Sequence, residues 1–126
     1  MGSLTNQLIL DTNILINLEK GNSSLINSID PRSTLHITAI TVFEFALGET
    51  FEENQNRLDN YNTISFKKDD GILTAKILKK IKKQGQEIEF RDVMIASICI
   101  NNKIPLKTEN IKHFERLKQF GLKLID

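Results

Sequence analysis

Three apolar residues that run straight into an acid, Leu8-Ile9-Leu10-Asp11, constrain this chain more than any other stretch. An apolar run this short, closed by a carboxylate and then by Thr12 and Asn13, reads as a buried strand ending on an acid. In an open α/β sheet, ligands bind beyond the carboxyl ends of the strands. An acid delivered there stands where such folds carry their chemistry. Every other acid can be judged by whether it reaches Asp11.

The rest of the sequence alternates short strands with helices. Strands are expected over residues 7–11, 35–38, 63–66, 104–108 and 122–125. Helices are expected over 12–20, 23–29, 39–49, 67–85, 92–100 (closed by Asn101-Asn102) and 111–120, with the polar run 49–62 also helical. Gly21-Asn22 stops the first helix, and Pro31 biases Asp30 out of the helical region and ends the second. In the third, residues 40, 43, 44 and 47 share one face, which places Glu44 among apolar side chains. In the longest, Ile72, Ala75, Leu78 and Ile81 form the apolar stripe and lysines crowd the rest. Pro105 argues against a central position for the start of the fourth strand. Strands alternating with helices imply a three-layer α/β/α fold with a central, mainly parallel sheet. At 126 residues the chain makes one domain, residues 1–126, with 1–5 set aside as a disordered or vector-derived leader.

The longest apolar stretch, residues 93–100, falls far short of the roughly 20 residues a membrane span requires, so no membrane association is expected. The single Cys99 allows no internal disulfide and fits a reducing, cytoplasmic setting. Charge is distributed unevenly. Residues 1–63 carry three basic against eight acidic side chains, net −5, and residues 64–126 carry fourteen against eight, net +6. An acidic half suits cations and a basic half suits phosphates; Lys-rich helices are also ordinary solvated faces.

Three carboxylates sit where a soluble core would rather not have one. Asp11 ends a buried strand, although it could equally cap the helix that follows. Glu44 is the only charge between Ile40 and Gly48 and is flanked by Phe43 and Phe45. Burying it unpaired would cost several kcal/mol, so it needs a partner or a cleft. Asp92 opens an almost wholly apolar helix, where an N-cap is again the plain alternative. What matters is the conjunction, because in a parallel sheet all three positions converge on one edge. Carboxylates gathered together repel, and protonation or a bound cation must relieve them. Hard oxygen donors suit Mg²⁺ or Mn²⁺, and such a centre suits phosphodiester hydrolysis.

Four segments, Leu10-Asp11-Thr12-Asn13, Ile40-Thr41-Val42-Phe43-Glu44, Asp92-Val93-Met94-Ile95-Ala96-Ser97 and Thr108-Glu109-Asn110 with His113-Phe114, occur in order in a short chain. Together they make the chain similar to the PIN domain ribonucleases, within them the VapC-like toxins of toxin–antitoxin pairs, over residues 9–124. The resemblance implies a PIN-like sheet flanked by helices and Mg²⁺- or Mn²⁺-dependent endoribonuclease activity on RNA. It also implies a cognate antitoxin partner and a homodimer. Carried over residue by residue, it makes Asp11, Asp92 and Glu44 the metal ligands and, with Asn110 in the fourth position, the catalytic set. Asn13 and Thr108 take supporting or substrate-facing roles.

The chain departs from the family pattern at Asn110, where many relatives carry Asp. Glu109 could substitute for it by turning inward. It departs again at Glu89-Phe90-Arg91, where a small residue is usual, and at His113, where an acid is common. A haloacid-dehalogenase-type phosphatase would need a second Asp where Asn13 stands. A receiver domain would need its acid at the end of strand three, which here is Phe66-Lys67, and no glycine-rich phosphate loop is present. The remaining alternative is a catalytically silent PIN-like module that binds RNA or protein. The lysines of residues 67–83 are candidates for guiding an RNA backbone.

Overall fold

The structure, a computed structural model, describes residues 6–125, so the leader set aside at 1–5 lies outside the described residues. Five strands, β1 (Gln7–Leu10), β2 (Thr34–Thr38), β3 (Asn62–Ile64), β4 (Leu106–Lys107) and β5 (Leu124–Ile125), form one sheet. Their order is β3-β2-β1-β4-β5, and every pairing is parallel. Helices α1 (Thr12–Glu19), α2 (Ser23–Ser28), α3 (Ala39–Ala46), α4 (Phe51–Asn54), α5 (Lys68–Lys83), α6 (Phe90–Asn102) and α7 (Ile111–Glu115) connect them. Short 3-10 segments extend α4 through Gln55–Asn60 and α7 through Arg116–Phe120.

The alternation of side chains along β1 builds the three layers. Successive residues of a strand point to opposite faces. Ile9 therefore joins Ile77, Ile81, Val93, Ile95, Ile98 and Phe114 beneath α5, α6 and α7. Leu8 and Leu10 join Ile14, Leu15 and Ile37 on the other face, where Leu25, Val42 and Phe45 close the layer. Because β1 is central, both faces of the apolar tripeptide are dry, which is why it reads as continuous rather than alternating.

Chain order runs outward from β1 in both directions, so the neighbours β1 and β4 flank the point where the winding reverses. Ligands of such sheets bind there. Pro105 has no N–H to give to a ladder, but its carbonyl accepts from the Ile9 N–H at 2.9 Å. The ladder of β4 is thereby confined to Leu106–Lys107, shorter than residues 104–108.

Three expectations are corrected. The buried side of α5 is Asp70, Thr74, Ile77 and Ile81, whereas Ile72 is 47% exposed and Ala75 is also exposed. The apolar stripe is therefore rotated, and its polar members Asp70 and Thr74 are invisible to a pattern built on hydrophobic residues. On α3 Ile40 packs on the core as expected, but its other inward residues are Thr41, Val42 and Phe45, and Phe43 and Leu47 stand at 53% and 65% exposure. Helix α6 begins at Phe90, not Asp92. Glu89 is its N-cap, its side chain accepting from the Arg91 N–H at 3.2 Å, so Asp92 lies inside the first turn and is not the cap.

Candidate active site

Asp11 does two jobs. Its backbone leaves β1 extended, at φ −66° and ψ 159°, and its Oδ1 accepts from the Thr12 N–H at 2.9 Å as the N-cap of α1. Its Oδ2 accepts from the Thr108 hydroxyl at 2.8 Å. Thr108 directly follows β4, so this bond ties the ends of the two strands that flank the winding reversal. The Thr108 oxygen in turn accepts from the Asn110 N–H at 3.0 Å. Asp11 is 5% exposed.

Glu44 reaches the same place from α3. Its Oε1 accepts from the Thr12 hydroxyl at 2.6 Å. Thr12 Oγ1 also lies 3.0 Å from Thr41 Oγ1, and Thr41 is one helical turn before Glu44. A hydroxyl donates one proton, and Thr12 gives it to Glu44, so Thr41 donates to Thr12. The other carboxylate oxygen, Oε2, is 3.9 Å from a terminal nitrogen of Arg91. Asp92 arrives from the first turn of α6, with Oδ2 3.7 Å from Nδ1 of His113.

These acids act on one another. Burial pushes the Asp11 carboxyl above its ordinary value, and the charges of Glu44 and Glu109 push the same way. The hydrogen bonds from Thr108 and Thr12 pull it back. Burial raises Asp92 to about 6, with the charges of Asp11, Glu44 and Glu89 adding to it and His113 opposing. Like charges held in a partly dry site favour a proton or a cation. Among the described residues no three His, Cys, Asp or Glu side chains stand close enough together, as they are placed, to hold a metal ion. The arrangement is an open set of carboxylate oxygens, a donor chemistry that fits Mg²⁺, which takes one or two carboxylates and keeps its remaining positions for water and phosphate.

The expected residues are distributed unevenly about this centre. Asp11, Glu44, Asp92 and Thr108 converge. Asn13 is exposed on α1, and Asn110 is exposed, its backbone N–H donating to Thr108 and its carbonyl accepting from the His113 and Phe114 N–H groups. Glu109 is the acid whose charge reaches Asp11, and its Oε1 accepts from the Asn17 amide at 2.5 Å. A groove of ≈ 640 Å³ runs on from His113, lined by Lys82, Gln86, Glu89 and Arg116.

Comparison with known proteins places this geometry. The chain is 33% identical over 125 residues to Ribonuclease VapC1 of Methanocaldococcus jannaschii, covering 95% of this chain and 88% of that protein. The chain belongs to the VapC ribonuclease family. Ribonuclease VapC3 of the same organism is 31% identical over 90 residues, covering 71% of this chain and 95% of that protein. No protein-family model matches the chain. Among solved structures it is similar to VapBC2 from Rickettsia felis bound to a DNA fragment from their promoter. The TM-score there is 0.79 and the identity 26%, over 94% of this chain and 97% of that one. VapBC-1 from nontypeable Haemophilus influenzae shares the fold at a TM-score of 0.78 and 24% identity, over 95% and 97% of the two chains. The three-layer, parallel VapC-type PIN fold expected from the sequence is therefore the one observed.

Sequence reasoning overlooked the threonines that hold this VapC-family site together. Thr12 adjoins Asp11 and Thr41 precedes Glu44 by three residues. The signal was present in the helical spacing, since residues three apart on α3 share a face. A search for charge passes over hydroxyls.

Proposed function

We propose that this VapC-family chain hydrolyses RNA phosphodiester bonds at the Asp11, Glu44 and Asp92 cluster in a reaction dependent on Mg²⁺ or Mn²⁺. The observation that supports it is the convergence of three carboxylates from three separate elements, with Asp92 raised to about 6 by burial and by its acidic neighbours. Asp11, Asp92 and Glu44 would hold the ion. Bound there, it supplies Lewis-acid stabilisation of the charge that develops on the phosphodiester. Thr108 and the Thr12 N–H fix Asp11 as an acceptor, and the Thr12 hydroxyl, backed by Thr41, fixes Glu44. Held this way, the two acids keep their positions when charge arrives, as preorganised electrostatic catalysis requires. Glu109, beside Asp11, is the better candidate for a fourth acidic position than the uncharged, exposed Asn110.

As a VapC-family ribonuclease the chain is assigned the role of toxin, with a cognate antitoxin as protein partner, as in the VapBC complexes it resembles. Among the described residues no helix is long and apolar enough to cross a membrane. We place the reaction in the cytoplasm, where RNA substrates are, and expect a homodimer, checked by mass measurement in solution. RNA would approach along the groove of Lys82, His113 and Arg116, so binding should weaken steeply with salt.

The test is cleavage of a total RNA pool by the purified chain and by Asp92→Asn, with Mg²⁺, with Mn²⁺ and with EDTA. Discrete fragments from the wild type alone, lost in EDTA, support the assignment. Absence of cleavage by a folded, antitoxin-free protein under every condition would favour a binding module that keeps the fold without turnover.

A further inference from the structure

The first turn of α6 carries an exposed aromatic ring two residues from Asp92. Phe90 is 55% exposed, and the Arg91 guanidinium carbon stands 5.9 Å from the centre of its ring. Arg91 is held from below, its Nε donating to Glu89 Oε1 at 3.0 Å, and it spans the gap to Glu44 at 3.9 Å. Phe90, Arg91 and Asp92 thus project from one helical turn as a flat apolar surface, a planar cation and an acid of the site. A flat partner laid on the exposed part of Phe90 would remove that apolar area from water.

The acid cluster creates a problem that this turn can solve. Three carboxylates repel the phosphates of an approaching strand. Among the described residues one guanidinium lies within 4 Å of these acids, Arg91 at Glu44, and one imidazole, His113 at Asp92. The Arg91 side chain is 37% exposed, and its long 3.9 Å approach to Glu44 leaves donors free for a phosphate. An unpaired nucleotide offers the matching pair of groups, a phosphate and, beside it, a base with a π-face. Aromatic side chains and guanidinium planes are what unpaired bases stack on.

We propose that Phe90 and Arg91 form a nucleotide clamp at the edge of the site: Phe90 stacks an unpaired base next to the scissile bond, and Arg91 holds its phosphate. The clamp selects unpaired RNA over duplex, because a paired base cannot leave its stack to reach the ring. It also sets which bond enters the acid cluster. Phe90 is a specificity-determining residue, and Arg91 positions substrate. The inference rests on the assignment of the acid cluster as the cleavage site.

The experiment separates binding from turnover. Binding of a short unpaired RNA oligonucleotide of mixed sequence, and of the same sequence as a duplex, is measured by fluorescence anisotropy for wild type, Phe90→Ala, Phe90→Tyr and Arg91→Gln. Cleavage sites in the total RNA pool are mapped for the same proteins. Phe90→Ala should weaken binding of the unpaired strand about 5- to 150-fold, the range for loss of one stacked base, and leave duplex binding unchanged. Phe90→Tyr, which keeps the ring, should restore it. Arg91→Gln should weaken unpaired binding and flatten its salt dependence. Redistribution of cleavage positions by Phe90→Ala supports the clamp, since a merely structural change would slow cleavage at every position alike. Unchanged affinity and unchanged positions for Phe90→Ala, with wild type active and Asp92→Asn inactive, would overturn the clamp alone. The same null result with wild type also inactive would overturn the clamp together with the cleavage site. Loss of self-association or of antitoxin binding in Phe90→Ala, with RNA binding intact, would overturn it in favour of a protein contact.

Discussion

Two aspartates lie buried at the starts of helices in this molecule, and they have opposite meanings. Asp70, on α5, is 3% exposed; Asp11, before α1, is 5% exposed. Each has both oxygens engaged. Asp70 accepts from the Lys67 N–H at 2.8 Å and from the Asn101 amide at 2.8 Å, Asp11 from the Thr12 N–H at 2.9 Å and the Thr108 hydroxyl at 2.8 Å. Hydrogen bonding therefore does not distinguish them. Their company does. Beside Asp70 stand the neutral groups of Thr74, Ser97 and Asn101, which close the α5–α6 interface. Asp11 feels the charges of Glu44 and Glu109, and Asp92 feels that of Asp11. A buried acid among neutral donors is a fastener; a buried acid among other acids is loaded by repulsion that a proton or a cation would relieve.

The largest effect should come from breaking the second kind. Asp92→Asn removes one carboxylate of the cluster and should lower RNA cleavage by about 10³-fold, the several kcal/mol that charge stabilisation of a phosphodiester supplies. It should do so without unfolding the protein. Asp70→Ala should do the reverse. It removes the acceptor of the Lys67 N–H and of the Asn101 amide, two half-buried bonds between α5 and its surroundings, and should cost about 2 kcal/mol of stability, read by urea denaturation. Cleavage per folded molecule should stay at the wild-type rate. If Asp70→Ala abolished cleavage in protein shown to be folded, the division between the two aspartates would fail.

How much of this is legible in the sequence follows from the same contrast. Asp11, Glu44 and Asp92 stand out because each interrupts an apolar run, and the strand-helix alternation puts their positions on one edge of a parallel sheet. Asp70 does not stand out. It sits in Lys67-Lys68-Asp69-Asp70, which reads as an ordinary polar first turn, and only the packing of α5 on α6 reveals that it is buried. The same blindness rotated the α5 stripe toward Ile72. It also started α6 at Asp92 rather than Phe90, because an exposed aromatic and a salt-bridged Arg91 look like loop when only apolar periodicity is counted. Threonine is the other quiet residue, being tolerated in strands, helices and caps alike: family resemblance picks out Thr108, but a search for charge passes over Thr12 and Thr41.

A pH titration sharpens the comparison. Folding raises Asp92 from 3.8 to about 6, so between these values the folded chain binds more protons than the unfolded one. Stability from this group is present below pH 4 and is lost as pH rises through 6. Asp92→Asn mimics the protonated state at every pH. In EDTA the variant and the wild type should match near pH 4, and the variant should become more stable as pH rises. The gap should reach about 2 kcal/mol at pH 7, somewhat under the full value of a two-unit shift because the side chain is 21% exposed. Denaturant melts across the range measure it. A gap that stays flat with pH would mean that neither burial nor the neighbouring acids load Asp92. Added Mg²⁺ should close the gap by stabilising the wild type alone.

The smallest effect tests the threonines, and it asks whether a hydroxyl at the site differs from one at the fastener. Thr108→Val deletes the donor to Asp11 Oδ2, and Thr74→Val deletes the hydroxyl that bonds the Asp70 carbonyl at 2.7 Å and faces Ser97 at 2.9 Å. Both should cost about 1 kcal/mol in stability, the usual net worth of such a bond. Only Thr108→Val should touch the chemistry. Its hydroxyl holds the Asp11 carboxyl down against burial, so without it Asp11 rises further and the acid limb of the cleavage profile moves to higher pH. The rate at neutral pH should fall several-fold, and Thr108→Ser, which keeps the donor, should restore both rate and profile. Thr74→Val should leave the profile where it is. Equal profiles for the two valine variants would mean that Thr108 fastens β4 to β1 and does nothing more.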